Sequence, residues 1–248
     1  MDTAGAFVGV LVTLALLQFL PSAYRTIFLL AVIPGVVSVV LAMGVRDRAP
    51  ATDAPERAPI DWRRPFRDSA ALRQIVMLHA LFAIANTSDT FLLLRAKDLG
   101  FSETGVIGAY LFYNVAYAAL SYPAGKLSDR IGRWPLVALG WTAYAAVYVG
   151  FAFAGTGWIW PLFLLYGVYV ALTQGVAKAQ VAERAPKDSK GGVLGVFYMV
   201  SGLCALVGNL AFGLVWDRFR PETALVAAAS VAILAVCAIP IFGRLKPA

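Results

Sequence analysis

The chain has 248 residues, 60% of them hydrophobic and only 14% charged, and it carries a net charge of +7. So little polar surface cannot solvate a compact globule of this size, which excludes a soluble domain. A basic face for nucleic acid is excluded as well, because the Lys and Arg residues are scattered over several connections without an interleaved aromatic platform.

In chain order, the apolar residues fall into eight runs, at 3–20, 25–45, 72–93, 104–124, 134–154, 158–180, 193–214 and 223–243. Each is close to the roughly 20 residues that a helix needs to cross about 30 Å of hydrocarbon. The runs are continuously apolar and do not alternate over segments of about ten residues, so they predict helices and not barrel strands. The expected fold is an all-α polytopic membrane protein with about eight transmembrane helices. Met1 and Asp2 lead into the first run without a basic segment, so that run reads as a span and not as a cleaved signal peptide. Cys204 and Cys237 both fall inside runs, which leaves no disulfide framework and no CxxC metal or redox pair.

Between the second and third runs lies RDRAPATDAPERAPIDWRRPFRDS, Arg46 to Ser69, whose four prolines and dense mixed charge preclude a packed layer. The chain therefore divides into residues 1–45 with two spans, a linker at 46–70, and residues 71–248 with six spans. Alternate connections collect the basic residues. Sixteen of the 21 Lys and Arg lie in or just after the linker, at 126–133, at 178–190 and beyond 243, and five lie in the intervening connections. Lys and Arg are retained on the cytoplasmic side, so the linker and both chain ends are expected in the cytoplasm of a multi-pass cell-membrane protein.

The short connection GKLSDRIGRWPL, Gly125 to Leu136, concentrates charge between two apolar runs. Gly125 and Gly132 allow a tight backbone reversal. Asp129 can sit near a helix N-terminus or pair with Arg130 or Arg133, and the two arginines can reach lipid phosphates. The spacing Gly-x-Leu-Ser-Asp-Arg-x-Gly-Arg, carried by Gly125, Leu127, Ser128, Asp129, Arg130, Gly132 and Arg133, resembles the loop motif of the major facilitator superfamily (MFS) of transporters. That resemblance implies two six-helix halves, with such a loop between the second and third helices of each. Residues 71–248 then correspond to a C-terminal half and residues 1–45 to the last two helices of an N-terminal half, so about four helices are expected to be missing. The resemblance also implies that the loop gates the transporter by stabilising one conformation.

The start, MDTAGAFVGV, is similar to the beginning of the fifth helix in exporter-like members. Gly5 and Gly9 supply a small-xxx-small spacing, and Val10 stands where those members have proline. GLVWDR, Gly213 to Arg218, repeats the Gly-x-x-x-Asp-Arg spacing three spans later and is expected on the opposite face of the membrane.

Substrate contacts are expected from polar side chains that face the protein interior, since polar groups facing lipid are costly. The third span carries His79, Phe82, Asn86 and Asp89 on one stripe, with Thr90 beside it; the fourth carries Tyr110, Tyr113, Asn114, Tyr117 and Ser121. The sixth contributes Tyr166, Tyr169, Thr173 and Gln180, and the seventh Ser201 and Asn209. Tyrosine-rich faces of this kind suit an amphipathic or aromatic substrate. His79 and Asp89 are the titratable groups through which protons could couple to transport. Asp89 also lies near the outer end, within reach of Arg95 or Lys97, and His79 fits a hydrogen-bonded packing role. Lys178 can snorkel or pair with Glu183.

The expected function is secondary active transport, in the export direction, of a small molecule across the cytoplasmic membrane. There is no P-loop, no HExxH, no clustered metal ligands and no Ser/His/Asp arrangement, so no cofactor, metal or catalytic residue is expected and an enzyme is disfavoured. The alternative is a truncated, non-transporting membrane subunit or gene remnant. Without the missing helices the polar stripes would face lipid or demand another partner, so the expectation is that Met1 is internal to a longer reading frame, that the gene is truncated, or that the chain assembles as a homo-oligomer.

Overall fold

The computed structural model describes residues 23–44, 64–153 and 155–242, together with scattered single positions between 5 and 19. The run at 3–20 falls largely outside the described residues, as do 46–63 of the linker and the C-terminal Arg244 and Lys246. The chain forms two compact units, Met1–Asp61 and Trp62–Ala248. In the first, helix α1 (Tyr24–Gly44) is apolar on every side, and its 21 residues reach about 31 Å, enough to cross a membrane. Pro34 lies inside it, and Ser38 Oγ donates to the Pro34 carbonyl at 2.9 Å.

The second unit is built from α2 (Arg64–Asp68), α3 (Ala70–Ala85), α4 (Thr90–Asp98), α5 (Glu103–Ile131), α6 (Arg133–Phe153), α7 (Ile159–Arg184), α8 (Lys190–Arg218) and α9 (Pro221–Phe242). No strand occurs among the described residues, and the all-α membrane fold stands. Among the described residues six helical segments are long and apolar enough to span: Arg25–Gly44, Ala70–Asp98, Arg133–Phe153, Thr156–Arg184, Lys187–Arg218 and Pro221–Ile241. Helix α5 has 29 residues, a reach of about 43 Å, but it is more polar than these, because it carries Glu103, Asn114, Ser121, Lys126, Asp129 and Arg130 besides its tyrosines.

Local chemistry fixes the joints. Ser69 caps α3 by accepting from the Leu72 N–H at 3.2 Å, and Ser102 caps α5 by accepting from Gly105 N–H at 3.1 Å. Gly132 reverses the chain between α5 and α6 with φ 88°, a left-handed value that a side chain would resist.

Helix α6 is the centre of the unit. Its Trp141, Tyr144, Tyr148 and Phe151 are fully buried, packed between α7 and α9. A smaller apolar cluster of Leu72, Ile75, Val181, Val193 and Phe197 gathers the ends of α3, α7 and α8 beside Trp134, and so defines one end of the bundle, the Arg133 end. The opposite end is tied by Arg95, which donates to the carbonyls of Phe151 and Ala152 and pairs with Glu222 at 2.8 Å. Lys97 pairs with Glu103 at 3.7 Å nearby. The GLVWDR stretch closes α8 at this second end, opposite GKLSDR.

Two expectations are corrected. The third run remains one apolar segment long enough to span, Ala70–Asp98, but its helix is not continuous as the helical spacing over 72–93 implies: α3 stops at Ala85, and α4 starts at Thr90. Asn86, Thr87, Ser88 and Asp89 are four consecutive side chains able to hydrogen-bond nearby backbone, which competes with helix continuation. Nor is the charged motif a loop. Gly125 to Ile131 continue α5 as helix, and the reversal rests on Gly132 alone.

Candidate functional site: an interrupted helix and an adjoining cavity

Breaking a helix inside a membrane frees backbone groups that lipid cannot satisfy. Here the four residues of the interruption are each held by a different helix. Tyr169 of α7 donates its hydroxyl to Asn86 Oδ1 at 2.8 Å. Tyr144 and Tyr148 of α6 attend to Thr87: Tyr144 accepts from the Thr87 N–H at 3.2 Å and donates to the Ala85 carbonyl, and the Thr87 and Tyr148 hydroxyls are 2.5 Å apart. Asn209 of α8 accepts from the Ser88 N–H at 2.8 Å. Tyr113 of α5 donates to Asp89 Oδ2 at 2.6 Å. The interruption is thus a junction on which four helices converge, each contributing a side chain to one of its residues.

Helix α8 reaches this junction through Gly208, where a Cβ would stand 2.1 Å from the Ile84 carbonyl oxygen. Only a glycine permits that approach. Gly167 of α7 does the same against α5, where a Cβ would stand 2.7 Å from the Tyr113 carbonyl oxygen.

Toward the Arg133 end, a cavity of about 330 Å³ opens between α3, α6, α7 and α8. Phe82 and Trp141 stack in its wall at 4.5 Å, only 7° from parallel. His79, 6% exposed, meets the rings of Trp141 at 5.4 Å, Phe197 at 5.6 Å and Trp134 at 6.0 Å, and neither of its nitrogens has a hydrogen-bond partner among the described residues. Ser201 Oγ, also at this cavity, is likewise unpartnered there. The expected hydrogen-bonded packing role of His79 is therefore corrected: the ring is packed by aromatic faces, which offer it no acceptor or donor.

The structure brings the predicted residues into two groups. His79, Asn86, Tyr169, Thr173 and Ser201 line the cavity. Asp89, Tyr113 and Asn209 lie at the junction, where Tyr110 packs edge-on against Tyr113 at 5.1 Å. Tyr117 donates to Gln174 at 3.1 Å, at the cavity's margin. Asn114 is turned back on its own helix, donating to the Tyr110 carbonyl at 2.8 Å, and Thr173 does the same to Tyr169 at 2.9 Å.

Several expected ion pairs are replaced. Asp89 pairs with neither Arg95 nor Lys97, which are taken by Glu222 and Glu103. Arg133 pairs with Glu183 and not with Asp129, and of the two expectations for Lys178, snorkelling or pairing with Glu183, the pairing is replaced: its ammonium lies 5.9 Å over the Tyr198 ring. Among the described residues neither Asp129 nor Arg130 makes an ion pair; Leu127 is exposed, and Ser128 is buried with its hydroxyl on the Gly125 carbonyl at 2.8 Å.

Sequence reasoning missed Tyr144, Tyr148, Trp141 and Gln174. Tyr144 and Tyr148 are four apart on α6, and hydroxyls recurring at that spacing within an apolar run were the available signal.

A membrane bundle whose polar groups converge on an interrupted helix and an adjoining cavity has the build of a small-molecule transporter. The family model described as Major Facilitator Superfamily matches residues 1–209, and the chain belongs to that family. It is 31% identical over 241 residues to the MFS-type transporter MJ1317 of Methanocaldococcus jannaschii, covering 94% of this chain and 59% of that protein. It is 30% identical over 142 residues to the puromycin resistance protein pur8 of Streptomyces alboniger, covering 56% of this chain and 28% of that one. It is also 36% identical over 100 residues to the multidrug efflux pump LfrA of Mycolicibacterium smegmatis, covering 40% and 20% respectively. The crystal structure of the nucleoside transporter NupG matches in fold, with a TM-score of 0.62 at 15% identity over 85% of this chain and 58% of that one. The chain thus spans 59% of the length of MJ1317 and smaller shares of the other two relatives.

Proposed function

We propose that the chain acts in proton-linked export of a small molecule across the cytoplasmic membrane, with the Arg133 end in the cytoplasm. The observation that carries this reading is Asp89, a carboxylate inside a spanning segment, six residues inward of the Arg95–Glu222 pair and hydrogen-bonded to Tyr113 of another helix. An ionisable group at that depth is expensive, and such groups mark ion and proton pathways. The names of two relatives, a resistance protein and an efflux pump, support the export direction. The excess of Lys and Arg on alternate connections supports the orientation.

The test uses everted vesicles from a bacterial host stripped of its own efflux pumps, energised to an acidic interior and offered a panel of small molecules that includes puromycin. Release of protons on addition of a panel member is expected with the parent protein and absent with Asp89→Asn, while Lys126→Gln, far from the junction, retains it. Equal proton release from the Asp89→Asn protein rules out this role for Asp89.

A further inference from the structure

Gln174 and Lys178, four residues apart on α7, share one face of that helix and line the cavity that runs from Asn86 of the interruption toward the Arg133 end. Both are exposed, unlike the rings and the histidine behind them. Lys178 lies inside the spanning segment Thr156–Arg184, six residues (178 to 184) or about 9 Å from its end. Its ammonium rests 5.9 Å over the ring of Tyr198, a residue 49% exposed. Tyr198 lies eight residues (190 to 198) or about 12 Å inside α8, so two helices hold the charge at a similar depth.

A cation at that depth is costly unless something offsets it. The described acids do not: the ion pairs leave Lys178 out, no Asp or Glu lines the cavity, and Glu183, the acid nearest along α7, is held by Arg133. A ring at nearly 6 Å is at the limit of cation–π attraction and uses none of the three N–H donors of the ammonium. One helical turn away, Gln174 Oε1 accepts from the Tyr117 hydroxyl at 3.1 Å, and the amide nitrogen of Gln174 has no acceptor among the described residues. Two accessible donors, one of them charged, thus stand side by side with nothing to receive their bonds. A carboxylate, sulfonate or phosphate group fits that pair, and a second cation would be repelled.

We propose that Lys178 selects a negatively charged group on the transported molecule as it enters from the Arg133 end, with Gln174 as the second donor. The proposal rests on the transport reading in placing that group on a substrate; recognition of the anion itself needs no transport.

The test reads the charge and its occupant directly. Gly175, exposed and with open space around it, is replaced by cysteine in the full chain with Cys204 and Cys237 changed to alanine, in phosphatidylcholine nanodiscs. Its modification is timed with two thiol reagents of one build, the anionic 2-sulfonatoethyl and the cationic 2-trimethylammonioethyl methanethiosulfonates. Relative to 2-mercaptoethanol, the anionic reagent is expected to gain at least about fivefold over the cationic one, Lys178→Gln to cut that gain to about twofold or less, and Lys178→Arg to keep it. Benzoate is expected to slow the modification and its neutral isostere benzamide to leave it unchanged, with the benzoate effect weakened about threefold or more by Lys178→Gln or Gln174→Leu. The proposal is overturned if the charge preference survives Lys178→Gln, if benzoate and benzamide protect equally, or if neither protects. Protection by benzoate that vanishes when phosphatidylglycerol is added assigns Lys178 to a lipid headgroup and overturns it as well. Benzoate protection together with proton release that survives Asp89→Asn would remove the transport reading of Asp89 and leave the anion site standing; proton release that depends on Asp89, without benzoate protection, would do the reverse.

Discussion

Tyr113 of α5 donates its hydroxyl to Asp89 Oδ2 at 2.6 Å, which ties the start of α4 to a helix 24 residues further along the chain. A hydrogen bond to a charged acceptor is worth more than a neutral one, about 1.5–3 kcal/mol. Tyr113→Phe is expected to destabilise the protein in detergent by a free energy of that order, read as a lowered melting temperature. In a double-mutant cycle, Asp89→Asn should cost less in the Tyr113→Phe background than in the parent. Strict additivity of the two would mean that the contact contributes nothing.

Gly208 gives a sharper steric test. Alanine there would place its Cβ 2.1 Å from the Ile84 carbonyl oxygen, a rigid backbone atom, whereas Gly202 on the same helix has open space around it. Gly208→Ala is expected to destabilise by about 1–3 kcal/mol through overpacking, and Gly202→Ala to be near neutral. Thermal denaturation of the two variants side by side checks the contrast.

Arg95 and Glu222 join α4 to α9 at the end opposite Arg133, and the arginine side chain is only 11% exposed. Breaking a buried pair from one side strands the other charge, at a cost of about 3–5 kcal/mol when burial is complete. Glu222 is 24% exposed and also pairs with Arg220 at 3.3 Å, so it is not left alone and Arg95→Met should fall at or below the lower bound of that range. Glu222→Gln should cost less, because Arg95 keeps its bonds to the Phe151 and Ala152 carbonyls. Melting temperatures in which Glu222→Gln is the more damaging would contradict this ordering.

At the other end, the Arg133–Glu183 pair joins α6 to α7 beside the Gly132 turn, with Glu183 62% exposed. An exposed partner limits the pair to about 0.2–1 kcal/mol. Glu183→Gln should therefore barely move the melting temperature, yet raise hydrogen exchange at the turn. Asp129→Asn should leave exchange there unchanged, since Asp129 makes no ion pair among the described residues. Raised exchange in Asp129→Asn would restore Asp129 as the anchor of this turn.

The helices were legible because runs of about twenty apolar residues have one stable solution in hydrocarbon. The residues that matter were partly legible, and for a specific reason. A helical period picks out His79, Asn86 and Asp89 as one stripe, and that reading assumes the helix continues through them. Asn86 to Asp89 instead form the interruption, which the run of four backbone-competing side chains could have signalled. Tyr144 and Tyr148 escaped because no Asn, Asp or His shares their run to mark a polar stripe, as those residues do on the third and fourth spans, although both hydroxyls are spent on Thr87 and Ala85. Partners in three dimensions were not legible at all: Arg95 finds Glu222 across 127 positions.

The central claim is that the interruption lies on the transport path and is reached by water. Ser88, exposed within it, tests this most directly as a single cysteine, Ser88→Cys, in a protein whose Cys204 and Cys237 are replaced by alanine. The measurement is the rate of labelling by a membrane-impermeant thiol reagent, compared with Leu206→Cys on the exposed apolar face of α8. The account predicts that Ser88→Cys is labelled readily and Leu206→Cys is not, and that an imposed proton gradient changes the first rate alone. Labelling of Ser88→Cys as slow as that of Leu206→Cys would contradict it.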